Sequence, residues 1–274
     1  MCLISNKKRV DYDFDQDGRT IKGQLYKYYP LKEYHIEAFL NNKLFFAKPF
    51  TLNDSFDTSE KLIDPFPKFK ELINWDKDKA SLLDSHGICS FIESDSIKNS
   101  KMWAFYADNF NGFALEFDKK QLENDYNLLR PLPMMYLNKP VDLDNYNIVF
   151  HIQNTLFSIK DIPNDYDRLL DRIFQCIHLE KDKRIWANEN EWRMIIGNVA
   201  ISNKSFFNIS EHPNGYFLSL KNNAYIRLYI GYRVPYKERC SLSEIAAIKG
   251  IDVFVVTPRI YNKQWDMEIS SLLS

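Results

Sequence analysis

Residues 25–274 read as one α+β domain, with mixed, mainly antiparallel sheets and flanking helices, preceded by a polar arm over residues 1–24. Three observations predict that class. Apolar runs of strand length are bunched rather than strictly alternating with helical stretches, which separates α+β from a wound parallel sheet. Hydrophobic residues make up 45% of the chain, enough for a real core. No internal repeat, low-complexity tract or linker divides the 274 residues.

Taken in order, the arm ends in the turn-like Asp17-Gly18-Arg19. The aromatic run Leu25-Tyr26-Lys27-Tyr28-Tyr29 predicts a strand that Pro30 stops. Tyr34 to Asn41 places Ile36, Phe39 and Leu40 at helical spacing, and Lys43 to Lys48 follows as a second strand. Residues 60–86 are helical in pattern but interrupted by Pro65 and Pro67, and Gly87 to Ile92 is an apolar strand. Ser96 to Asp108 fits a short helix capped by Ser100 and carrying Met102, Trp103 and Tyr106. Asn111-Gly112 turns the chain into Phe113 to Phe117, whose period-two alternation predicts a strand. Asn138 to Asn147 is a polar loop. Ile148 to Leu179 reads as largely helical, with Leu169, Leu170, Ile173, Phe174 and Ile177 on one face. Lys181 to Arg184 reads as a solvated helix end, and Glu191 to Ile196, Ile226 to Gly231 and Asp252 to Val256 are further strands.

Composition narrows the function classes. The 36 basic and 37 acidic side chains nearly cancel, so no global field draws the chain to nucleic acid or an anionic membrane. Cys2, Cys89, Cys176 and Cys240 lie far apart, without the paired spacing of a zinc ribbon or a disulfide framework, which predicts reduced thiols. The five histidines never fall at i, i+4, so a histidine-rich metal site has little support. Neither a bilayer-length apolar run nor the apolar core of a signal peptide is present, which predicts a cytoplasmic protein with no membrane partner. The dinucleotide, phosphate-loop, nucleophile-elbow and zincin motifs are absent too.

What remains are polar residues set in aromatic strings. Leu25-Tyr26-Lys27-Tyr28, Pro49 to Asp57 with its central Asn53-Asp54, Lys101 to Asp108, Gly112 to Phe117 and Glu189-Asn190-Glu191-Trp192-Arg193 occur in one order. In that order they resemble the bacterial DUF2971 family, a domain of unknown function, over roughly residues 25 to 256. Two positions depart from the family pattern: Ser55 stands where proline is usual, and Phe105 where histidine is frequent. The layout is also similar to the ADP-ribosyltransferase fold.

That second resemblance implies an enzyme that uses NAD to modify a macromolecule, nucleic acid or protein, as a toxin or anti-phage effector held by a neutralising or regulatory partner. Glu191 would be the catalytic carboxylate, since breaking the bond between ribose and nicotinamide passes through an oxocarbenium-like state that one carboxylate can stabilise. Tyr26, Lys27, Tyr28, Asn53, Asp54, Tyr106 and Arg193 would bind the dinucleotide, with aromatic stacking and a guanidinium fork on phosphate. Lys27 stands where such a transferase carries histidine or arginine. Two rival readings stay open. One is a non-catalytic module that binds a nucleotide or a protein, in which Glu191 and Arg193, two apart on one face of a strand, form a structural ion pair. The other is a metal-dependent nuclease using Asp54, Glu116 and Glu191.

Overall fold

A computed structural model describes residues 9–14, 23–52, 63–77, 86–95, 97–125, 129–153, 155–221 and 223–272. Its architecture is mixed α+β with mainly antiparallel pairing. The chain divides into two compact units: Met1–Arg19, Phe46–Cys89 and Pro131–Tyr216 form the first, and Thr20–Phe45, Ser90–Arg130 and Phe217–Ser274 the second. Among the described residues no helix is long and apolar enough to cross a membrane.

In the first unit, the strand Val10–Asp13 runs parallel to Ile148–Ile152, which pairs antiparallel with Thr155–Ser158. The helix Tyr166–Ile177 lays Leu169, Leu170, Ile173, Phe174 and Ile177 into the core, the stripe expected from their spacing. The rest of the stretch differs from the helical expectation. Ile148–Ile152 and Thr155–Ser158 pair as antiparallel strands, with Gln153 at φ +50 after the first, and the apolar run Ile148-Val149-Phe150 is short enough to suit either period. Two further pairings position Lys181, Glu191 and Arg193. Met135–Leu137 is parallel to Glu180–Asp182, and Glu191–Ile196 is antiparallel to Leu132–Pro133.

The second unit is a sheet in the order 90–94, Gln24–Pro30, Gly112–Phe117, Tyr225–Gly231, Asp252–Tyr261 and Gln264–Ser271. All neighbours are antiparallel except Tyr225–Gly231 and Asp252–Tyr261, which the helix Tyr236–Lys249 connects. The helix Glu33–Leu40 packs Phe39 against Phe113 and Tyr225 on one face. Its buried side is His35, Ala38 and Phe39, whereas Leu40 is exposed. The helix Ser100–Tyr106 covers part of the opposite face. Asn99, rather than Ser100, is its cap: the side chain accepts from the Lys101 and Met102 amides. With helices on both faces, Gly112–Phe117 is buried at every position, so its alternation does not mark a wet side.

Trp103 anchors that second face. It is fully buried, stacks on Phe110 at 5.4 Å and donates its indole N–H to the Ile97 carbonyl at 3.0 Å. Trp103→Phe removes that donor and leaves a void beside Phe110, so a loss of about 2 kcal/mol is expected in urea unfolding. A change under about 0.5 kcal/mol would show that the indole is not an anchor.

Candidate functional site

The residues singled out in the sequence fall into both units. Glu191 and Arg193 belong to the first, Tyr26, Lys27, Tyr28 and Tyr106 to the second, and Asn53 and Asp54 lie outside the described residues.

In the first unit, Asn190 adopts a left-handed conformation (φ +52) that asparagine tolerates, and the chain passes from a short 3-10 turn into the strand Glu191–Ile196. Glu191 is 3% exposed and Arg193 1%. The guanidinium Nε meets Glu191 Oε1 at 2.7 Å, and Lys181 Nζ meets Oε2 at 2.8 Å. Lys181 is itself buried, with its ammonium 4.4 Å from the centre of the Trp186 ring and 3.6 Å from Glu189 Oε2. The expectation of a solvated helix end at Lys181 is therefore corrected. Lys183 and Arg184 of that run are exposed, and Arg184 pairs with Asp182. The Tyr136 hydroxyl accepts from the Glu191 amide at 2.8 Å, and Arg193 Nη1 donates to the His178 carbonyl at 2.8 Å. Burial alone would raise the Glu191 carboxyl; the Arg193 and Lys181 cations more than offset it and hold it at about 2.

The second unit aligns polar groups across three strands. Tyr26 and Arg227 both lie opposite Glu116, one on each neighbouring strand, so the three form a row. Glu116 is 1% exposed, and Arg227 Nη1 donates to its two oxygens at 3.1 and 3.2 Å. The Tyr229 hydroxyl donates to Glu116 Oε2 at 2.9 Å. Tyr26 stands edge-on to Tyr229, and Phe254 stacks on Tyr229 at 5.5 Å. Burial, then the Glu116 charge, push the Tyr26 phenol up to about 12, and Tyr229 is raised as well. The Arg227 side chain is 43% exposed, which makes it the open end of the row.

Three other sequence candidates take quieter places. Tyr28 is buried edge-on to Trp103, with its hydroxyl 3.5 Å from the Ile97 carbonyl. Lys27 points to the other face, where its ammonium donates to the Ser90 carbonyl and lies over the Tyr29 and Phe91 rings. Tyr106 is half-buried against the Trp103 cluster. Arg227, Tyr229 and Lys181 were missed in the sequence. The first two sit at i, i+2 on an apolar strand, a spacing that marks one face but names no partner.

Both buried carboxylates already meet protein cations, Glu191 two of them and Glu116 one. Such pairing suits orientation of the cations better than recruitment of a divalent metal.

The family model described as Protein of unknown function (DUF2971) matches residues 102–194. No curated protein and no solved structure matches the chain. The matched residues include Trp103, Tyr106 and Glu116 in the second unit and Lys181, Glu191 and Arg193 in the first. Tyr26, Lys27, Tyr28, Arg227 and Tyr229 lie outside that range.

Proposed function

We propose that this chain binds a nucleotide through its second unit, on the row formed by Tyr26, Glu116, Arg227, Tyr229 and Phe254. The observation that carries the reading is the half-exposed Arg227 fork, fixed by a fully buried Glu116 beside a stacked aromatic pair. Holding a guanidinium in one orientation reduces what is lost on binding, and a planar fork recognises phosphate through paired bonds. Phe254 and Tyr229 supply the apolar face for a base. Glu191 acts here as a structural charge, since its burial against Arg193 and Lys181 favours a module that binds over one that transfers.

NAD and AMP are the probes of choice, titrated by calorimetry. Arg227→Ala is expected to weaken binding at least about tenfold, the range for a hydrogen bond to a charged group. Wild-type protein that binds neither probe overturns the reading.

One observation supports ADP-ribosyl transfer as a second reading: Glu191 is held ionised at about 2, the state that an oxocarbenium-stabilising carboxylate needs. On that reading NAD is a substrate and the target is a nucleic acid or protein, with a neutralising partner to restrain the activity. Nicotinamide release from NAD in a lysate, lost in a folded Glu191→Gln variant, would support transfer. Binding without release leaves the module reading standing.

A further inference from the structure

A pocket distinct from the Arg227 row opens in the same unit at the far end of the closing hairpin. Its volume is about 530 Å³, within the range of small-molecule sites. The walls come from Phe110, from Pro258 and Ile260 on one strand, and from Trp265 and Met267 on its partner. Lys98, Arg259 and Asp266 supply the charge.

Three features mark this as a built site. The hairpin turns tightly through Asn262 and Lys263, both at positive φ, and sets Ile260 directly opposite Trp265. That cross-strand pair is the most exposed part of the wall: Trp265 is 90% exposed and Ile260 67%. Phe110 is held at φ +68, which is costly for a large side chain, and Gly231 permits it, because a Cβ there would lie 2.1 Å from the Phe110 carbonyl oxygen. The backbone is thus fixed on both sides of the cavity while the indole stays in water.

The charges point to the ligand. Lys98 Nζ and the Arg259 Nη2 both reach Asp266, at 3.0 and 3.1 Å, so two cations on the lining face one carboxylate. Glu268 meets Arg259 from the strand edge at 3.6 Å and does not line the pocket. The lining itself carries two cations and one carboxylate beside a bare indole, and Glu268 balances part of the Arg259 charge from outside it.

We infer that this pocket takes a planar aromatic monoanion, its ring against Trp265 and its anionic group at Lys98 and Arg259. Stacking on an exposed indole gains apolar burial, and the cation pair gives the sign preference. The probe is 8-anilinonaphthalene-1-sulfonate, followed by its fluorescence, with uncharged N-phenyl-1-naphthylamine as the comparison. One equivalent of the anion should bind, and more tightly than the neutral amine. Trp265→Ala and Lys98→Gln should each weaken it at least about tenfold, with the circular dichroism of the wild type retained. Arg227→Ala should leave it unchanged, which separates this pocket from the proposed nucleotide row. An unaltered affinity in Trp265→Ala, or equal affinity for anion and amine, overturns it.

Discussion

Glu191→Ala is expected to destabilise the first unit by about 3–5 kcal/mol, the cost of leaving buried cations without their counter-charge. Arg193 loses its carboxylate and Lys181 keeps only the longer contact to Glu189 at 3.6 Å, and neither cation can reach water without moving the strand Glu191–Ile196 or Glu180–Asp182. Thermal unfolding should shift down by about 10 °C in a chain of this size. Replacing Lys181, Glu191 and Arg193 together by Met, Leu and Met should recover most of that loss, because well-packed apolar residues remove the stranded charges along with the pair. Acid adds an independent signature. The folded carboxyl sits at about 2 against 4.5 for an unperturbed glutamate, so its contribution is present in full above pH 4.5 and lost as pH falls through about 2. That acid limb should be missing in Glu191→Ala. A variant as stable as the wild type, with its acid limb intact, would mean that the carboxylate does not hold the unit together and would return weight to a purely catalytic role.

The strands that carry the candidate residues were legible because their runs are aromatic or β-branched over a strand's length. Gln24–Pro30, Glu191–Ile196 and Tyr225–Gly231 begin and end within a residue or two of the sequence reading. The stripe of Tyr166–Ile177 was legible for the same kind of reason, a sustained 3.6 period. Residues 148–158 were not, because six apolar positions without glycine or proline fit a helix or a hairpin equally well. The helix Tyr236–Lys249 went unread: only Leu242, Ile245 and Ala246 are buried along fourteen residues, too thin a stripe to stand out. The polar clusters failed differently. Lys181 sits between Glu180 and Asp182, which locally resembles a solvated charge run, yet its partner lies ten residues on in another strand. Arg227 is matched to Glu116 across 111 positions, so no local pattern announces the pair. The type of each candidate could be read from the sequence, but its exposure and charge partner are properties of the sheet register.

Glu180→Gln is expected to remove a second pH slope, opposite in sign to that of Glu191. Glu180 lies next to Lys181 in the chain, but its carboxylate is buried with the Val141 amide donating at 2.9 Å, and burial pushes it up to about 8. The Val141 hydrogen bond favours the ionised form and offsets only part of the effect of burial. A folded value above the unfolded 4.5 means that the native state holds the proton more tightly. The stability it contributes is present in full below pH 4.5 and is lost as pH rises through about 8. At about 1.4 kcal/mol per pH unit the loss across that window is on the order of 4–5 kcal/mol. Urea unfolding of the wild type should therefore show stability falling from pH 4.5 towards 8 and levelling above it. In Glu180→Gln the amide oxygen still accepts from Val141, and nothing ionises. The variant should be nearly flat across the window and the more stable of the two above pH 8. If the variant fell along the same slope, the titrating group would have to lie elsewhere, and the carboxyl at residue 180 would be ionised in the folded chain at neutral pH.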